Sequence, residues 1–192
     1  MTHHSSRVGD IRPSQLMYTY GVGAIVDLPK FSVIVTGLED WDTDPQYAKP
    51  IVEDRLLMAV RYQLPEVRKL LSPPVVPETG MPVDPFDSTA RIGVPVAAFP
   101  RWMVCPMCRL LAPLSSGLFK LDESPFHPDR TAYRHETCDK GKKPEVFPAR
   151  FLVACENGHL DDFPWVHFAH KGQPCNRPWL RLIEYGATGE AR

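Results

Sequence analysis

Cys105 and Cys108, in the run Arg101-Trp102-Met103-Val104-Cys105-Pro106-Met107-Cys108-Arg109-Leu110, constrain the fold of this 192-residue chain more than any other feature. A Cys-x-x-Cys on a tight turn aims two sulfurs at one ion, at about 2.3 Å each for zinc, and a tetrahedral structural site then needs two more soft ligands from elsewhere. Cys138 and Cys155 follow at separations that close such a site, and they are the expected partners. Two histidines are alternates: His135, spaced His-x-x-Cys from Cys138, and His159, spaced Cys-x-x-x-His from Cys155. The expected set is therefore four thiolates, or three with one imidazole, around a structural Zn²⁺.

Two other uses of the pair fit less well. A redox Cys-x-x-Cys sits where a strand meets a helix N-terminus, and Pro100 before and Pro113 after this pair disfavour that arrangement. A disulfide framework belongs to an oxidising compartment. The N-terminus Met1-Thr2-His3-His4-Ser5-Ser6-Arg7 is polar and lacks the apolar core of a signal peptide, and five cysteines are an odd number.

A hydrophobic fraction of 43% and a charged fraction of 23% are those of a globular protein, and no apolar run approaches the 18 or so residues of a spanning helix. The formal net charge of −1 gives no broadly basic surface, so tight, salt-sensitive DNA binding by the chain alone is not expected. Twenty-one prolines against twelve glycines imply few long helices and many extended connectors. The expected fold is an irregular, Pro-rich α+β protein, with short β-hairpins and a few helices around a zinc ribbon-like centre. Three parts are expected: a hairpin-plus-helix module over 1–72, a Pro-rich connector over 73–98, and a zinc-binding module over 99–192.

Residues 1–10 read as a frayed start and Ile11 to Leu16 as a capped turn or helix. Gly21 and Gly23 lack the lysine of a phosphate loop and the third glycine of a dinucleotide fingerprint, so they read as a bend before a strand. The β-branched runs Ala24–Leu28 and Ser32–Thr36 predict a hairpin, and the spacing of Val52, Leu56, Leu57, Ala59 and Val60 predicts a helix stopped at Leu64-Pro65. Prolines at 73, 74, 77, 82 and 85 predict an extended connector. A hairpin or irregular loop is expected between Cys108 and Cys138, a strand over Phe147–Ala154, and, from the helix-like spacing of aromatics and histidines over Leu160–His170, a helix whose start Asp161 or Asp162 caps. Trp179–Tyr185 reads as strand-like.

Lys140, Lys142 and Lys143 form the one basic cluster, a solvated turn or a short phosphate contact. His159, Asp161 and Asp162, with His167 and His170 beyond, admit a competing reading as a zinc-dependent hydrolase or nuclease with an open coordination position. Cys175 reads as half of a second metal site or as a thiol with no ligand role.

Several stretches together resemble a known family: Ile11-Arg12-Pro13-Ser14-Gln15-Leu16 through Ala24, Gly37-Leu38-Glu39-Asp40-Trp41, Phe99-Pro100-Arg101-Trp102, and above all the run Ala149 to Trp165. The chain resembles the DrmB family, accessory proteins of the bacterial antiphage DISARM system. The resemblance implies a cytoplasmic protein that pairs with a helicase-like partner, DrmA, the pair engaging DNA and helping to tell invading from host DNA. It implies no motor activity in this chain, which agrees with the lack of a Walker lysine, helicase motifs or a nucleophile-base pair. DrmB proteins are typically much longer, so the resemblance implies an N-terminal portion or a short relative.

Overall fold

The computed structural model describes residues 11–76, 84–173, 175–176, 179–185 and 190–191. The frayed start expected over 1–10 and the connector prolines 77 and 82 lie outside the described residues. The architecture is mixed: short helices and several small antiparallel sheets. By compactness it divides into Met1–Ala24 with Val35–Ala97, and Ile25–Ile34 with Ala98–Arg192. No described helix is long and apolar enough to cross a membrane.

In the first unit, helix α1 (Pro13–Tyr18) opens on a proline, whose missing N–H costs nothing at that position. The Arg12 amide donates to the Gln15 side chain at 3.0 Å. Gly23 has φ +82°, a left-handed conformation in which glycine is favoured. Helix α2 (Asp54–Gln63) starts on an acid and ends where proline follows Leu64. Its apolar spacing is helical, yet none of its residues is buried.

The second unit begins with the expected hairpin. Strands β1 (Ile25–Asp27) and β2 (Ser32–Val35) pair Val26 with Val33, and Ser32 Oγ donates to Asp27 at the turn end. Strand β3 (Val96–Ala98) leads to Phe99, whose amide donates to the Ser32 carbonyl at 3.0 Å.

The centre of this unit is a four-stranded sheet. Strands β4 (Trp102–Val104) and β5 (Leu110–Pro113) form a tight hairpin. Strands β6 (Phe119–Asp122) and β7 (Ala132–His135) make a separate hairpin. Strand β8 (Phe147–Pro148) flanks β4, strands β9 (Leu152–Ala154) and β10 (Leu160–Asp162) pair with each other, and β11 (Leu180–Arg181) flanks β5. Strands β12 (Glu184–Tyr185) and β13 (Glu190–Ala191) close the series.

Alternation along β4 and β5 sends successive side chains to opposite faces, and both faces are covered. Met103 and Ala112, paired across the hairpin, join Cys105, Cys108, Phe119 and Val146 on one face. Val104 and Leu111, the next pair, join Ala149, Trp165 and Leu182 on the other. The sheet is thus a partition between two apolar clusters, which is why a chain with so many short elements still has a core.

The region after Cys155 differs from the expected single helix. Asp161 and Asp162 belong to β10, and helix α3 runs only over Trp165–Ala169, behind Pro164. Asp162 caps no helix. Its carboxylate accepts from the Arg101 backbone amide at 2.8 Å and from Arg101 Nε at 2.6 Å, while Asp161 pairs with the same guanidinium. The Asp162 side chain is only 7% exposed. Removing it should therefore cost mainly through the orphaned amide, because the solvated Arg101 head contributes little. Asp162→Ala is expected to lower unfolding free energy by about 1.5–3 kcal/mol, with Asp161→Ala nearly neutral, both read by urea denaturation.

Candidate metal centre

Cys105 leaves β4 and Leu110 enters β5, and the chain turns back between them by two backbone bonds. The Cys105 amide donates to the Leu110 carbonyl at 2.8 Å, and the Arg109 amide donates to the Cys105 carbonyl at 2.8 Å. Arg109 takes the left-handed conformation, φ +64°, that lets the turn close. Its guanidinium is held at the far side by the Leu182 carbonyl, 2.8 Å from Nε. Both cysteines of the turn are buried.

The other two donors come from the end of the β6–β7 hairpin. Its register sets His135 opposite Phe119, and the two rings meet edge to face at 5.4 Å. Cys138 follows in the turn after β7, half-buried against the same apolar cluster. The ligand atoms of Cys105, Cys108, His135 and Cys138 all lie within 4.8 Å of one another. Cys105 Sγ is 3.8 Å from Cys138 Sγ, and Cys108 Sγ is 3.5 Å from His135 Nδ1. A zinc tetrahedron has S···S edges of about 3.8 Å and S···N edges of about 3.6 Å, from bonds of about 2.3 Å and 2.0–2.1 Å. The donor set and its spacing therefore fit one soft divalent ion. On the outer side of the imidazole, Nε2 lies 3.5 Å from the Thr137 hydroxyl, a partner that orients the ring.

Of the residues singled out in the sequence, Cys105, Cys108 and Cys138 come together, and the fourth member of the group is His135 rather than Cys155. Cys155 is exposed at the tip joining β9 and β10, with its Sγ 3.3 Å from His159 Nδ1. The reason lies in pairing: β7 is carried to the Cys-x-x-Cys turn by its hairpin with β6, whereas β9 pairs with β10 and keeps its tip apart. Asp161 and Asp162, candidates for an open hydrolytic centre, are engaged by Arg101. His167 is exposed on α3, near Gly172. Lys140, Lys142 and Lys143 are exposed in the loop after Cys138, and Lys143 pairs with Glu136 at 3.2 Å.

Burial pushes the Cys108 thiol up to about 11, reinforced by the neighbouring Cys105 and Cys138 sulfurs, while the Leu110 amide pulls the other way. Burial also lowers the pKa of His135, against the opposing pull of Asp139. The imidazole is thus neutral and ready to coordinate near pH 7, whereas the Cys108 thiol must give up its proton to bind. Each proton displaced makes binding weaker as pH falls. Affinity for such an ion is expected to fall by at least about tenfold per pH unit as pH drops, one proton returning to the buried Cys108 thiol. Competition with a chromophoric chelator at pH 6.5 and 7.5 measures this.

A family described as a domain of unknown function, DUF8724, matches residues 12–192. The chain belongs to the DUF8724 family. It is also similar to the DISARM protein DrmB of Bacillus paralicheniformis, at 35% identity over 102 residues. That match covers 53% of this DUF8724 chain and 17% of the relative's length.

Proposed function

We propose that this chain is a non-catalytic accessory or scaffold component of a DISARM-type antiphage defence system, held together by a structural zinc ion at Cys105, Cys108, His135 and Cys138. In this reading it is a cytoplasmic subunit that joins a DrmA-like helicase and engages DNA through that complex. The similarity to DrmB carries the assignment to defence. The clustering of four soft donors within 4.8 Å of one another supports the structural role, because four protein ligands would complete a tetrahedron around one ion. The two ligand-bearing hairpins, β4–β5 and β6–β7, make the centre zinc ribbon-like. Lys140 and Lys142 are the residues we assign to phosphate contact within such a complex, since the chain has no broad basic surface of its own.

The test is co-expression of the tagged chain with its genomic neighbours, followed by purification and elemental analysis. The proposal expects the helicase-like neighbour to co-purify and zinc to be present at about one ion per chain. Recovery of the chain alone and metal-free, or turnover of a nucleic-acid substrate by the isolated chain, contradicts it.

A further inference from the structure

We propose that Cys155 and His159 form a second, weaker binding site for a soft divalent cation of the zinc class, separate from the buried four-residue group. The β9–β10 tip repeats the backbone plan of the Cys105–Cys108 turn. In each, a cysteine leaves a strand and its amide closes the hairpin: Cys105 onto the Leu110 carbonyl at 2.8 Å, Cys155 onto the His159 carbonyl at 3.0 Å. In each, the same cysteine's carbonyl accepts from a residue of positive φ: Arg109 at +64°, Gly158 at +82°. In each, a second soft donor follows within four residues, Cys108 or His159.

The atoms agree with the backbone. Cys155 Sγ and His159 Nδ1 are 3.3 Å apart, close to the 3.5 Å between Cys108 Sγ and His135 Nδ1 in the buried group. Both are near the edge of about 3.6 Å that zinc imposes on one sulfur and one imidazole nitrogen. The difference is exposure: Cys155 and His159 face solvent, and two coordination positions are left for water or for a donor from another molecule. Two fewer protein ligands make this site weaker than the first, so one equivalent of zinc fills the buried group before it. This site is independent of any role in defence.

The experiment is cysteine footprinting of the full chain. The protein is given one equivalent of zinc or an excess, pulsed with iodoacetamide, and the Cys155 peptide is quantified by mass spectrometry. Excess zinc is expected to slow alkylation of Cys155 at least tenfold. In His159→Ala and His159→Gln that protection should vanish, while Cys105, Cys108 and Cys138 stay shielded, which also reports that the variants are folded. A plain S–H···N hydrogen bond gives the same Cys155 rate at both zinc levels. That result, or protection that survives both His159 substitutions, overturns the proposal.

Discussion

Cys105→Ser is expected to abolish binding of the first equivalent of zinc at the Cys105, Cys108, His135 and Cys138 group and to unfold the sheet that carries it, whereas Cys155→Ser leaves both intact. The contrast follows from where the two sulfurs lie. Cys105 is fully buried, packs in the cluster with Met103, Ala112, Phe119 and Val146, and sits 3.8 Å from Cys138 Sγ. A structural zinc site supplies about 10–16 kcal/mol of binding free energy that is also folding free energy, against a typical domain stability of about 5–15 kcal/mol. Losing one thiolate of a closed set removes most of that and leaves one buried and one half-buried thiol and an imidazole without a common partner. Cys155 is exposed and belongs to no part of that group. Circular dichroism with zinc analysis of the two purified variants reads both effects.

The second large effect is expected in the apolar packing beside the ligands. Met103 of β4 is completely buried beside Cys105 and Cys108, and Leu111 is nearly so on the opposite face. Truncating either to alanine should cost about 2–5 kcal/mol, the range for emptying a packed core position. Met103→Leu conserves volume and should cost less than about 1.5 kcal/mol. Folding and metal binding are linked, so Met103→Ala should weaken zinc affinity along with lowering stability, although Met103 touches no ion. Phe168→Ala, at a largely exposed ring on α3 that meets Phe163 edge to face at 5.3 Å, should cost no more than about 1.5 kcal/mol. Chelator competition and denaturant titration on the same preparations separate these outcomes.

Part of this organisation is written locally and can be read from the chain. The β-branched runs around Pro29 make the β1–β2 hairpin, Leu64-Pro65 stops α2, and Cys105-Pro106-Met107-Cys108 makes the turn that starts the candidate metal centre. What escaped local reading depends on pairing between distant segments. His135 rather than Cys155 completes the group because the β6–β7 register carries His135 to the turn, and spacing along the chain ranks the two donors differently. The run Phe147–Ala154 reads as one strand but is two: the Ala149 amide bonds to the Trp102 carbonyl, and the chain then leaves β4 and pairs onward with β10. Asp162 reads as a cap for the helix that follows, yet it is claimed by Arg101, 61 residues away in sequence. Periodicity identified α2 as a helix correctly, but periodicity marks an apolar stripe, not a partner for it.

The most direct measurement of the central claim is zinc K-edge X-ray absorption on the full chain carrying one equivalent of metal. Three sulfurs at about 2.3 Å and one imidazole nitrogen at about 2.0–2.1 Å are the shell that Cys105, Cys108, Cys138 and His135 provide. A four-sulfur shell, or one rich in oxygen, contradicts the account.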